Sequence, residues 1–290
     1  MARRLGQHFL TDPAILDRIV NAINPQPDDV VIEIGPGQGS LTQRLASRVG
    51  RVIAIERDAK LAALLKGARS GERGADPAGK RMPENVRIVH GDALKLDWHA
   101  ELEPTPEISA PRSPLPAPSR PLPAPSFKVV GNIPYYITTP LIDKALTPPP
   151  PRVIVFLVQR EVAERLGAGP GSKSYGALTV GVRSVASVER LFVVRAGSFT
   201  PPPQVDSALV RIEPCAQPLL PYDEIAAFRR FNATLFSQRR KQLRRILRSI
   251  RLIGSAEVES ELARCNIDPT ARPETLSPED IVHVFRSFRP

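Results

Sequence analysis

The sequence predicts an α/β fold, an open doubly wound parallel sheet followed by a small C-terminal helical domain. Three observations carry that reading. Short apolar runs near Val30, Val52, Val86, Lys128 and Val153 alternate with stretches of helical character. The first run leads directly into a glycine-rich turn and a helix. After Pro214 the pattern becomes helical, which places a boundary there and divides the chain into residues 1–213 and 214–290. At 290 residues the chain is long enough to bury a substantial core and to divide once.

Taken in order, the first element is a helix. Asp12 is placed to cap it, Pro13 sits in its first turn, and it runs to about Ala22. Val30-Val31-Ile32-Glu33-Ile34 then reads as a strand, Gly35-Pro36-Gly37-Gln38-Gly39 as a tight turn, and Leu41 to Val49 as a helix. Arg51 to Ile55 is a second strand ending on Glu56, and Val86 to Val89 a third that delivers Gly91 and Asp92. Phe127 to Gly131 is the fourth, running into Asn132-Ile133-Pro134-Tyr135, and a fifth lies near Val153. Arg190–Arg195 and Ser207–Ile212, joined by a proline-rich loop, form a closing pair.

Asn132 to Tyr135 is the most informative segment. An exocyclic amine on adenine or cytosine is a poor nucleophile because its lone pair is delocalised into the ring. Two acceptors that take both N–H bonds favour a pyramidal, reactive nitrogen. The Asn132 carboxamide oxygen and the Ile133 carbonyl, held extended by Pro134, suit that task, and Tyr135 offers a face for a base lifted from its stack. Methyl transfer needs no general base here, since the product ammonium loses its proton to water. The competing reading is a strand that simply ends in an Asn-x-Pro turn.

The turn at Gly35 to Gly39 has nucleotide-loop character, but Ser40 stands where a dinucleotide fingerprint requires its third glycine. Glu33 would repel a pyrophosphate. It would attract, directly or through water, the sulfonium and amino groups of S-adenosylmethionine. Glu56 suits two ribose hydroxyls and Asp92 the amino group of the cofactor adenine, although each taken singly reads as a solvated loop carboxylate. Gly35, Glu56, Asp92 and Asn132 each follow a successive strand, and in an open parallel sheet those places converge on one crevice. Phe199, stiffened by Pro201 to Pro203, is expected to face Tyr135 across a base-sized slot, against the alternative of a packed aromatic before a loop.

The formal net charge is +10 and the pI about 10.1, a balance that suits a polyanionic partner. Between Ile225 and Ala256 there is no acidic residue, whereas Arg239, Arg240, Lys241, Arg244, Arg245 and Arg248 all fall there. Leu235, Phe236, Leu243, Ile246, Leu247 and Ile250 recur at helical steps. The arginines are therefore expected on the outer face of one amphipathic helix, meeting phosphates or simply solvated. Cys215 and Cys265 are too few for a disulfide framework, and His8, His90, His99 and His283 show no zinc spacing, so no metal is expected. Arg3 and Arg4 are followed by no long apolar segment, and no 18-residue apolar run occurs. No membrane association and a cytoplasmic location are expected.

Gly6-Gln7-His8-Phe9-Leu10, Glu33 to Gly39, Gly91-Asp92-Ala93-Leu94, Gly131 to Tyr136, Gln159 to Leu166, Pro170 to Gly176 and Phe199 to Ser207 together resemble the bacterial small-subunit rRNA adenine dimethyltransferases over most of the chain. The resemblance implies a Rossmann-like S-adenosylmethionine-dependent methyltransferase sheet with an antiparallel last strand. It implies dimethylation at N6 of two adjacent adenosines in the 3′-terminal hairpin of 16S rRNA, within the small ribosomal subunit or its precursor, by a monomer. It further implies that His8, Leu10, Gly35, Glu56, Asp92 and Asn132 hold the cofactor, beside Glu33 and Gly37 as read from the loop itself, that Tyr135 and Phe199 sandwich the target base, and that the run Gln238 to Lys241 lies in the RNA-binding helical domain. His8 departs from the asparagine usual in the family, and altered pH sensitivity of cofactor binding is expected from it.

Two stretches do not fit the family pattern: Gly67 to Glu84, and Glu101 to Ser126 with its nine prolines, which reads as an extended linker or surface insertion. Three rival readings stay open. One is a large-subunit rRNA adenine N6-methyltransferase of the resistance type, against which Gln159 to Leu166 and Ser172 to Gly176 weigh. The others are a non-catalytic RNA-binding ribosome assembly factor and a nicotinamide oxidoreductase.

Overall fold

A computed structural model of the chain describes residues 8–70, 81–103, 127–251 and 254–288. The expectations placed on Gly6 and Gln7, and on nearly all of the proline-rich stretch, lie outside the described residues, as does the middle of the Gly67–Glu84 stretch.

In chain order the elements are β1 (Phe9–Leu10), α1 (Pro13–Ala22), β2 (Val30–Ile34), α2 (Ser40–Ala46), β3 (Arg51–Glu56), α3 (Ala59–Ser70), β4 (Val86–His90), α4 (Trp98–Leu102), β5 (Phe127–Asn132), α5 (Thr138–Ala145), β6 (Val153–Gln159) and α6 (Arg160–Leu166). They continue with α7 (Ala177–Arg183), β7 (Ala186–Val194), β8 (Phe199–Thr200), β9 (Ser207–Pro214), α8 (Ile225–Ser237), α9 (Leu243–Arg251), α10 (Ser255–Arg264) and α11 (Pro278–Ser287). The main sheet has seven strands in the order β4-β3-β2-β5-β6-β9-β7, mostly parallel, with the last strand in sequence antiparallel. β2 is the topological centre: Val30 pairs with Arg51 on one side and with Phe127 on the other.

Why these runs are strands follows from their burial. Val31, Ile32, Val52, Ile53, Val129, Ile154 and Val155 are all fully buried, because a parallel sheet covered on both faces needs continuous apolar runs rather than alternation. Gly131 in β5 lies so close to β2 that a Cβ there would come within 2.6 Å of the Ile34 carbonyl oxygen. This close approach brings Asn132 beside the glycine turn. A buried ion pair anchors the opposite end of β5: Lys128 Nζ lies 2.6 Å from Asp29 Oδ2 and donates to the Asn24 carbonyl.

α1 begins as the sequence predicts. Asp12 accepts from the amides of Ala14 and Ile15, and Pro13 occupies the first turn. The short strands β1 and β8 were not foreseen. They pair antiparallel, Phe9 opposite Thr200 and Leu10 opposite Phe199.

The division after Pro214 is replaced by a discontinuous one. Among the described residues, one compact unit comprises those of Met1–Ala145, Pro149–Gln159 and Leu191–Arg211; the other comprises those of Leu146–Pro148, Arg160–Arg190 and Ile212–Pro290. The second unit recruits the middle segment through specific bonds: Asn232 Nδ2 donates to the Ala177 carbonyl, Tyr175 Oη to that of Leu276, and the Gly171 amide to that of Glu274. The single amphipathic helix expected across Leu235 to Ile250 is two helices, α8 and α9. The amides of Leu243 and Arg244 bond to the carbonyls of Ala271 and Pro269, so outside acceptors replace the helical ones and α9 starts afresh. Its apolar face nevertheless forms as the periodicity implies, with Leu243, Ile246 and Leu247 fully buried.

Candidate active site at the carboxyl ends of the parallel strands

The carboxyl ends of β2, β3, β4 and β5 open on a cavity of about 350 Å³. Gly35 and Gly37 form one wall, Ile55 to Arg57 and Gly91 to Ala93 a second, Asn132 to Ile137 a third, and His8 and Phe9 reach in from the N-terminal segment. Of the sequence-predicted residues, His8, Gly35, Gly37, Glu56, Asp92, Asn132, Ile133, Pro134 and Tyr135 thus meet around one space.

The glycine turn is built for its shape. Gly35 and Gly37 take φ of +70° and +57°, and a Cβ on Gly37 would stand 3.0 Å from the Phe9 ring. Gly37 therefore makes room for an aromatic side chain as well as for any ligand. Its amide donates to Glu56 Oε2 at 3.1 Å, and the Asp58 amide donates to Oε1 at 2.8 Å. Burial raises the Glu56 carboxyl above its usual range, against the lowering effect of these backbone donors. Asp92 accepts from the Leu94 amide at 3.0 Å, which closes the loop after β4 on itself. Lys144 braces that loop by donating to the carbonyls of Leu94 and Leu96, and Trp98 Nε1 donates to that of Ala93.

Asn132 Nδ2 donates to the His8 carbonyl at 2.9 Å. A carbonyl only accepts, so the amide end of Asn132 is committed there and Oδ1 is left as an acceptor. His8 is itself held, with Nδ1 at 2.7 Å from the Pro201 carbonyl, which requires an Nδ1–H donor. The His8 ring lies stacked against Tyr135 at 6.4 Å between centroids, and Tyr135 Oη is 3.0 Å from Ser207 Oγ. Pro134, at φ −57° and ψ 132°, keeps the backbone extended before the turn that carries Tyr135.

Three expectations need correction. Phe199 is only 3 % exposed and packs in the hydrophobic core. It lies opposite Leu10 in the β1–β8 pair, and both side chains take the core face, so Leu10 does not line the large cavity either. Phe9, one residue earlier and on the other face, is the aromatic that reaches the cavity. Glu33 also sits apart, in a narrow crevice behind the glycine turn that it shares with Leu10, Phe9 and Asn132. Its Oε2 has no hydrogen-bond partner, and burial pushes its carboxyl up to about 8, with the Glu56 carboxylate adding and the Thr42 hydroxyl opposing. Burial thus works against the standing anion the sequence suggests.

Of the basic residues, Arg239 pairs with Glu274 at 2.7 Å and Arg244 with Glu259 at 3.2 Å. Arg240, Lys241, Arg245 and Arg248 are exposed. Among the described residues no group of three or more His, Cys, Asp or Glu is arranged to hold a metal, and no helix is long and apolar enough to cross a membrane.

These residues fit S-adenosylmethionine. A carboxylate at the end of β3 with both oxygens held by backbone amides suits a ribose. A buried carboxyl with one oxygen unpartnered, beside the glycine turn, is the group that a nearby cation would ionise.

The comparisons agree. The family model described as ribosomal RNA adenine dimethylase matches residues 1–289. A ribosomal RNA small subunit methyltransferase A of Nitrosococcus oceani is 40% identical over 98% of this chain and 94% of its own. The protein of that name from Synechococcus elongatus is 40% identical over 95% of this chain and 90% of its own. Among solved structures, a dimethyladenosine transferase from Plasmodium falciparum superposes with a TM-score of 0.74 at 26% identity, covering 97% of both chains. The 23S rRNA methyltransferase ErmE superposes at 0.64 and 28% identity, over 97% of this chain and 99% of its own.

Proposed function

The chain belongs to the ribosomal RNA adenine dimethylase family, and from that premise we propose that it converts two adjacent adenosines in the 3′-terminal hairpin of 16S rRNA to N6,N6-dimethyladenosine. The methyl donor is S-adenosylmethionine, which supplies an electrophilic methyl group on a sulfonium. The observation that carries the reading is the orientation of Asn132. With its amide end bonded to His8, Oδ1 accepts one N–H of the target amine while the Ile133 carbonyl accepts the other. Both bonds strengthen as the nitrogen pyramidalises, so they favour the transition state over the flat ground state. The methylated nitrogen is then cationic with two protons, of which one leaves to water; the N–H that stays keeps one of the two acceptors in the second round.

Tyr135 supplies a face for the flipped adenine. Phe199 could share that role only by leaving the core, so the opposing face belongs to the His8 segment, which already stacks on Tyr135. Glu56 takes the cofactor ribose, Asp92 its adenine, and Gly35 and Gly37 shape the pocket, with Leu10 and Glu33 behind it. The exposed Arg240, Lys241, Arg245 and Arg248 meet phosphates, while Arg239 and Arg244 hold the helical unit together. The protein acts as a cytoplasmic monomer on the small subunit or its precursor. The likeness to ErmE supports the fold equally well for a large-subunit enzyme, but the 40% identical relatives favour the small subunit.

The test is incubation of the protein with labelled S-adenosylmethionine and unmodified small subunits, followed by mass spectrometry of rRNA nucleosides. Labelled dimethyladenosine in the 16S hairpin is expected. Label confined to large subunits selects the resistance-type reading, and no label selects the assembly factor.

A further inference from the structure

Tyr136, immediately after the proposed base-holding tyrosine, lines the cavity mouth and is 60% exposed. The mechanism above gives it no task. A tyrosine this open ordinarily moves among rotamers, but its hydroxyl accepts a hydrogen bond from Arg57 Nη1 at 3.1 Å. Arg57 in turn lies within ion-pair range of Asp92, with Nε 3.9 Å from Oδ2, and its side chain remains half exposed. The result is a flat aromatic face bonded at its hydroxyl, with a cation at its rim, reaching from the end of β3 to the turn after β5. That combination suits an unpaired nucleotide, whose base stacks on the ring while the phosphate meets the guanidinium.

We propose that Tyr136, positioned by Arg57, stacks the nucleotide adjacent to the adenosine seated at Asn132. This rests on the methyltransferase reading and deepens it. The target sequence has two neighbouring adenosines, and lifting one from the stack leaves the other without its partner. Tyr136 replaces that lost stacking surface, so the chain holds the waiting base while it methylates the seated one. Arg57 is a positioning residue, using donors not bonded to Tyr136 to meet the phosphate between the two.

The experiment compares wild type, Tyr136→Phe, Tyr136→Leu and Arg57→Gln on unmodified small subunits. A stacked base lost to alanine-type truncation corresponds to roughly 5- to 150-fold in binding. Tyr136→Leu is therefore expected to raise KM for subunits about tenfold with kcat little changed and cofactor affinity within about twofold of wild type. Tyr136→Phe keeps the ring and should lose about twofold. Arg57→Gln should fall between them. In a second measurement, subunits reconstituted with 16S rRNA carrying an abasic nucleotide beside the target should cost wild type the same tenfold and Tyr136→Leu nothing further. Equal KM for wild type and Tyr136→Leu, additive losses on the abasic substrate, or a loss confined to cofactor affinity would each overturn the proposal. Should wild type itself make no dimethyladenosine, the function fails rather than this assignment.

Discussion

Glu33 makes a sharp prediction because its chemistry and its burial oppose each other. It is 1% exposed with one oxygen unpartnered, and its carboxyl is raised from 4.5 to about 8. Between those two values the folded protein keeps a proton that the unfolded chain has released. The associated stability is complete below 4.5 and is lost as pH rises through about 8. The slope is about 1.4 kcal/mol per pH unit, so between pH 5.5 and 7.5 this one group removes roughly 2 to 3 kcal/mol. Glu33→Gln keeps the shape and abolishes the titration. The assay is urea denaturation of the ligand-free protein at those two pH values, comparing midpoints at constant m. Wild type should lose roughly 2 to 3 kcal/mol more than the variant over the interval. Glu56, also raised by burial, contributes to both proteins and largely cancels. The variant also carries an extra N–H donor into the crevice, so the absolute stabilities are less diagnostic than the slopes. Parallel pH profiles would refute the reasoning. Cofactor affinity should climb with pH in wild type and be weaker and flatter in Glu33→Gln, because a bound cation displaces the proton.

Lys128→Met should cost roughly 3 to 5 kcal/mol by leaving the buried Asp29 without its cation, as read from urea melts. The double variant with Asp29→Leu should recover much of that loss. Lys144→Met strips the Leu94 and Leu96 carbonyls of their donor, a cost of roughly 1 to 3 kcal/mol. It should weaken cofactor binding about tenfold in calorimetry by loosening the Asp92 loop. Replacing Arg240, Arg245 and Arg248 together by alanine should reduce the slope of log affinity against log salt for small subunits by about 3 while leaving cofactor affinity unchanged. An unchanged slope would move the phosphate contacts elsewhere.

The parallel strands were legible because each is buried on both faces, and full burial writes an uninterrupted apolar run into the sequence. The convergence of Gly35, Glu56, Asp92 and Asn132 followed from strand ends alone. Glu33 was legible as a site residue but not as a neutral one. Ionisation depends on depth, and no local pattern marks the crevice that hides it. Phe199 went astray because facing is set by the pairing of two-residue strands across nearly two hundred positions, and a shift of one residue exchanges Phe9 with Leu10. The break between α8 and α9 was invisible for a related reason: the apolar period continues through it, and the acceptors that end it come from Pro269 and Ala271. The recruitment of Arg160–Arg190 to the helical unit rests on Tyr175 and Asn232, whose partners are likewise remote. Tyr136 and Arg57 carried a signal in their adjacency to Tyr135 and Glu56, but their pairing appears only in three dimensions.

The account turns on Asn132 presenting Oδ1 to the substrate amine. Single-turnover methylation of unmodified small subunits by Asn132→Ala, alongside separate measurement of subunit and cofactor affinity, tests this most directly. The rate should fall by at least about a hundredfold, the loss typical of removing one group that stabilises the transition state, while subunit affinity stays within about threefold. Methylation at the wild-type rate would contradict it.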